Sequence, residues 1–186
     1  MTGVEHEARY RADGDPWDTL TDPYELEKRE RTLRACGDGP FAAACDLGAG
    51  LGLISEALAP RCTRLVAVDA APTAVAAAWR RLSAFPGVEV REGRLPGALP
   101  DGDAFDLVVA SEILYYLDDD AFAATLAWLR AVAGRVVAVH WLGAADDLRR
   151  SADDVGAALA HVPGLRPVTA ERVAAGYRLD VLERDA

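Results

Sequence analysis

Asp46-Leu47-Gly48-Ala49-Gly50-Leu51-Gly52 decides how this chain is read. An apolar run, Phe41 to Cys45, precedes it, and a helix-like run, Leu53 to Ala59, follows it. The order is strand, glycine turn, helix. Glycines there let backbone approach a ligand closely, and the start of the helix offers N–H groups without intrahelical partners. A pyrophosphate prefers bare amides at such a turn. An acid placed ahead of the glycines suits a ligand with a cationic end instead. Gly48, Gly50 and Gly52 also form G-x-G-x-G rather than the G-x-G-x-x-G of a dinucleotide site.

Outward from that turn the chain alternates. The pattern predicts strands at Ala42 to Leu47, Arg64 to Val68, Val88 to Arg91, Asp106 to Ala110 and Arg135 to His140. Between and after them it predicts helices at Leu51 to Ala59, Thr73 to Ser83 behind Pro72, Asp119 to Val132 behind a capping Asp118, and Ala152 to His161. Two late strands, Arg166 to Arg172 and Tyr177 to Glu183, flank a short turn. Ahead of the core, Asp22-Pro23-Tyr24-Glu25 opens a charged helix running to about Cys36, with Asp22 as cap and Glu25 reaching back. Strand-then-helix repetition implies an α/β fold with a mostly parallel, doubly wound sheet, closed by an antiparallel edge hairpin. Residues 1 to about 40 form an N-terminal arm and helix, expected as a lid, and 41–186 the core of a single domain.

Composition narrows the partners. The 186 residues carry a net charge of −10, with no basic face of the kind a nucleic-acid binder needs. The acidity reads as solubility, or as attraction for an amine-bearing substrate. Three cysteines without a C-x-x-C give neither a disulfide framework nor a zinc signature, and Cys45 reads as core packing. His6, His140 and His161 are scattered, so no metal site is expected. No apolar stretch is long enough for a membrane span and no signal-peptide core is evident. A cytoplasmic protein, monomer or homodimer, with a small-molecule substrate is expected.

In a doubly wound sheet, ligands sit at the carboxyl ends of the strands. Those ends carry Asp46 with Gly48, Ala49 and Gly50, then Asp69 with Ala70, then Ser111-Glu112, then His140-Trp141. An acid at position 69 can accept both hydroxyls of a ribose. NAD enzymes use such an acid too. Together with Asp46 it favours S-adenosylmethionine, which has a cationic amino group and an adenosine.

The order Asp-x-Gly-x-Gly-x-Gly, Val-x-Val-Asp69, Phe105-Asp106-Leu-Val-Val-Ala-Ser111-Glu112 resembles the class I S-adenosylmethionine-dependent methyltransferases, over nearly the whole chain. The resemblance implies a Rossmann-like fold with a seven-stranded sheet. It also implies a glycine turn on the methionine part, Asp69 on the ribose, and Arg94 and Leu95 flanking adenine. Many relatives carry an acid where Arg94 stands, and an arginine cannot accept the adenine amino hydrogen bond. Backbone at Arg94 and Leu95, or Glu92, would have to serve. A closer resemblance, to the NodS family of nodulation-type N-methyltransferases, rests on Tyr10-Arg11-Ala12-Asp13, Asp15-Pro16-Trp17, Ser111 to Leu117 and Val139-His140-Trp141. It implies methyl transfer to an amine, such as that of an amino sugar.

The expected roles follow. His140 acts as a general base or holds a substrate hydroxyl, and Glu112 binds the acceptor amine or offsets the sulfonium charge. Tyr115, His140 and Trp141 contact the acceptor. Adjacent Tyr115 and Tyr116 cannot both face the pocket if their segment is helical, and Tyr115 is favoured. Tyr10 and Trp17 close over the donor. Trp79 and Trp128, mid-helix, are assigned to the core. The alternatives are an O-methyltransferase with His140 as full base, a nicotinamide oxidoreductase, and a silent S-adenosylmethionine-binding module.

Overall fold

The computed structural model describes residues 3–102 and 104–185. Its elements are α1 (Gly3–Ala12), α2 (Pro23–Cys36), β1 (Phe41–Leu47), α3 (Leu53–Leu58), β2 (Cys62–Asp69), α4 (Pro72–Leu82), β3 (Val88–Glu92), β4 (Phe105–Ser111), α5 (Asp119–Val132), β5 (Ala133–Trp141), α6 (Ala152–Leu159), β6 (Leu165–Val173) and β7 (Tyr177–Arg184). The strands form one sheet in the order β3-β2-β1-β4-β5-β7-β6. The first five are parallel, and β7 enters antiparallel between β5 and β6. This is the Rossmann-like class I methyltransferase arrangement.

Alternation along the strands sends side chains to two separate cores. Ala44, Leu65, Leu107, Val109, Val137 and Val139 pack on the face with Cys36 of α2 and Leu58 of α3. Cys45, Val66, Val108, Val136 and Ala138 pack on the opposite face, with Leu129 of α5 and with Val155 and Leu159 of α6. The central strands are therefore apolar on both sides, as buried parallel strands must be. The edge strands β3 and β6 are largely exposed and carry charges, which discourages pairing with other chains.

Chain order reverses between β1 and β4. From β1 the chain winds outward through β2 and β3, then returns to β4 beside β1. The crevice at the carboxyl ends of β1 and β4 is where such sheets bind ligands.

Local structure departs from the sequence expectation in four places. Residues 3–12 form a helix where an irregular arm was expected; Glu5 lies in its first turn and Arg9 and Arg11 in its last, as the helix dipole favours. At the start of α2, Asp22 accepts the Tyr24 N–H at 2.7 Å, but Glu25 does not reach back; it pairs with Lys28. The helix after the glycine turn lasts only six residues before a 3-10 turn at Ala59–Arg61 containing Pro60. Trp79 is 63% exposed rather than core, because α4 buries the stripe Ala74, Ala78 and Leu82 instead. Trp128 packs against Phe105 as expected and donates to the Pro100 carbonyl.

Candidate active site

The glycine turn is built by hydrogen bonds to the neighbouring strand. The N–H groups of Gly48 and Ala49 both donate to the Val68 carbonyl at 2.9 Å. Two glycines are required here by space as well as by conformation. Gly48 (φ 72) would place a Cβ 2.8 Å from Ile113 Cβ, and Gly50 (φ 53) would place one 2.9 Å from the Tyr10 hydroxyl. The segment after β4 and the helix α1 thus close on the turn from two sides.

Two carboxylates flank it. Asp46 is buried and accepts the Ser55 hydroxyl at 2.6 Å. Burial pushes its carboxyl up to about 6, against the pull of that hydrogen bond. Asp69 accepts the Gly50 N–H at 2.8 Å and the Ala71 N–H at 2.9 Å. Burial raises its carboxyl too, opposed by these amides.

A cavity of about 630 Å³ opens over these groups, within the size range of small-molecule sites. Asp46, Gly48, Ala49, Gly50, Asp69, Ala70, Arg94, Leu95, Ser111, Glu112, Tyr10, Trp17, Tyr115 and Trp141 all line it. Glu92, the considered substitute acceptor, is exposed and outside the lining, because alternation on β3 turns it away. Tyr115 and Tyr116 both line the cavity, contrary to expectation. Their segment, Leu114–Tyr116, is a 3-10 turn, and the two rings meet edge to face at 4.6 Å.

His140 is not brought to the cavity. It points to the α5/α6 side of β5, is 1% exposed, and lies behind the Tyr115 ring with centroids 4.9 Å apart. Its Nε2 accepts the Leu114 N–H at 3.2 Å, which fixes the 3-10 turn. Burial lowers its pKa to about 4, so the imidazole is neutral at pH 7.

Residues from the N-terminal region complete the site, and several were missed in the sequence. Lys28 of α2, 6% exposed, donates to Glu25 and to Glu112, each at 2.8 Å. Glu112 has φ 57, uncommon for a non-glycine residue, and also accepts the Tyr115 hydroxyl and the Trp141 N–H. Burial pulls the Lys28 ammonium down, but the Glu112 and Glu25 carboxylates outweigh it and hold it at about 12. His6 of α1 joins the lining, 4.6 Å from the Tyr116 ring. Tyr10 meets Trp17 edge to face at 5.3 Å. Glu7 anchors α1 by accepting from the Thr73 N–H and hydroxyl, and Arg9 pairs with Asp147 at 3.3 Å. A lysine in a charged, solvent-like helix carries no sequence signal of pairing with a residue 84 positions away.

Among the described residues no cluster of His, Cys, Asp or Glu could hold a metal ion. Nor is any helix among them long and apolar enough to cross a membrane.

The family profile described as Nodulation protein S (NodS) matches residues 6–135. The Nodulation protein S of Sinorhizobium fredii (strain NBRC 101917 / NGR234) is 33% identical over 113 residues, 58% of this chain and 50% of that protein. The protein of the same name from Rhizobium tropici is 32% identical over 120 residues, 61% of this chain and 48% of its own. The chain therefore spans about half the length of these curated relatives. The crystal structure of the N-methyltransferase NodS from Bradyrhizobium japonicum WM9, in complex with S-adenosyl-L-homocysteine, shares the fold with a TM-score of 0.86. It is 22% identical, over the full length of both chains.

Proposed function

The chain belongs to the Nodulation protein S family, and from that premise we propose that it is an S-adenosylmethionine-dependent methyltransferase acting on a small-molecule amine. One observation carries the reading: a buried carboxylate, Asp46, and a half-buried one, Asp69, flank a turn whose glycines 48 and 50 have no space for a Cβ. The donor set fits the cofactor. Asp46 and the turn would hold its amino-acid end, and Asp69 the ribose. Arg94 and Leu95 would flank the base through backbone and apolar contact. When bound, S-adenosylmethionine supplies a methyl group already activated on a sulfonium.

The protein's work is then to position the acceptor and exclude water. Tyr10 and Trp17 of the N-terminal lid cover the donor end, beside Gly50. Tyr115, Tyr116 and Trp141 wall the acceptor side, and Glu112 offers a carboxylate to the acceptor. His140 acts from behind Tyr115, holding the turn that presents the tyrosines. Its withdrawal from the cavity favours an amine over the alternative hydroxyl acceptor. A hydroxyl needs a base at the moment of attack, whereas a neutral amine attacks with its own lone pair. The related N-methyltransferase fold supports the same choice. A small acceptor in the cytoplasm, rather than nucleic acid, fits the net charge of −10.

Calorimetry tests the donor half. S-adenosylhomocysteine should bind in a one-to-one complex and NAD should not. Binding of NAD alone would overturn the reading.

A further inference from the structure

We propose that Lys28 sets the charge felt at the transfer point of the cavity, partly neutralising Glu112 so that the site does not hold a cation there too tightly. The inference rests on the methyltransferase reading and concerns a residue outside the Rossmann-like core. Lys28 is carried by α2, and its ammonium reaches across to a carboxylate that follows β4. Glu112 precedes Ile113, whose side chain abuts Gly48, and it shares the cavity lining with the glycine turn. Both residues line the cavity. The pair is largely removed from solvent, where charges interact strongly.

A methyltransferase that acts on amines has opposed electrostatic needs. It must accept a sulfonium, yet the acceptor amine must shed its proton before it can attack. An unneutralised carboxylate at the transfer point would favour the sulfonium and also trap the amine as ammonium. Lys28 divides its ammonium between Glu112 and Glu25, at 2.8 Å from each. One ammonium against two carboxylates halves the negative charge of the group, which weakens the field at Glu112 while its oxygens still accept hydrogen bonds. Glu112 Oε2 is already taken by the Tyr115 hydroxyl and the Trp141 N–H. Oε1, on the Lys28 side, keeps acceptor capacity for a ligand. The lysine is a specificity-determining residue for charge, acting through Glu112.

Two ligands read this directly. S-adenosylhomocysteine is neutral where the methyl group would depart, and sinefungin carries an amine there. Their affinities for the full chain, measured by calorimetry, give a preference in which the shared adenosine and amino-acid contacts cancel, and its change between variants reads the charge. In Lys28→Met the preference for sinefungin over S-adenosylhomocysteine should rise about tenfold, the size of one largely screened charge. Lys28→Arg should restore the wild-type preference. Glu112→Gln leaves Lys28 its Glu25 partner and should lower it by about the same factor. It decides the matter if Lys28→Met does not fold. An unchanged preference in Glu112→Gln, or in a folded Lys28→Met, overturns the proposal. Failure of the wild type to bind either ligand overturns the methyltransferase reading instead.

Discussion

Asp69 serves two purposes with one carboxylate. It closes the end of β2 by accepting two backbone amides, Gly50 and Ala71, and it still lines the cavity. Each oxygen has a second lone pair, so a diol can bind without breaking either bond. Asp69→Ala should weaken S-adenosylhomocysteine about 10- to 100-fold, the range for losing hydrogen bonds to a charged group. Calorimetry on the folded variant checks this, and unaltered affinity would move the ribose elsewhere. That Asp46, the glycine turn and Asp69 would share one cavity was legible in the sequence because each ends or follows a strand of one parallel sheet. His140 was legible as a strand-end residue, but not its facing. One position of alternation sends it to the α6 side, and the register with β7 fixes that.

At the scale of elements, α1 is the piece whose placement the sequence left open. It has little apolar stripe of its own beyond Tyr10, and polar side chains along its length tie it down. Glu7 caps the start of α4 through Thr73, and Arg9 pairs with Asp147 in the segment after β5. A short peripheral helix tied mainly by polar side chains opens locally without unfolding the core. Glu7→Ala should therefore speed amide hydrogen exchange in residues 5–12 while leaving the global melting temperature nearly unchanged. A variant with unaltered exchange there would show that aromatic packing of Tyr10 on Trp17 suffices. The turn at Leu114–Tyr116 makes the complementary point. An α-helix would have set one tyrosine away from the pocket, but a 3-10 turn, pinned by His140 and by the Tyr115 carbonyl accepting the Arg149 N–H, sends both into the lining.

For the whole molecule, two buried groups oppose each other as pH changes. His140 has a folded pKa of about 4 against an ordinary 6.5. Its contribution to stability is complete above pH 6.5 and is lost as pH falls toward 4. Asp46 has a folded pKa of about 6 against 3.8, so its contribution is complete below 3.8 and is lost as pH rises through 6. Between pH 6 and 4 the two partly offset. His140→Gln removes one of them. From pH 6.5 to 4.5 its melting temperature should fall less than that of the wild type, or rise. Parallel pH profiles for the two proteins would show that His140 is not the acid-sensitive group.

The sequence by itself determined the sheet, its winding and the residues that stand around the glycine turn. Those depend on periodicity, glycine spacing and the residues at strand ends, all of which are local. The tertiary structure alone decided the charge and shape of the cavity wall opposite that turn. It set Lys28 against Glu112, turned Trp79 outward, withdrew His140 behind Tyr115 and laid α1 beside the glycine turn. The physical reason is that these pairings join segments tens of residues apart. Local pattern fixes which residue ends a strand, but only packing fixes which distant charge it meets.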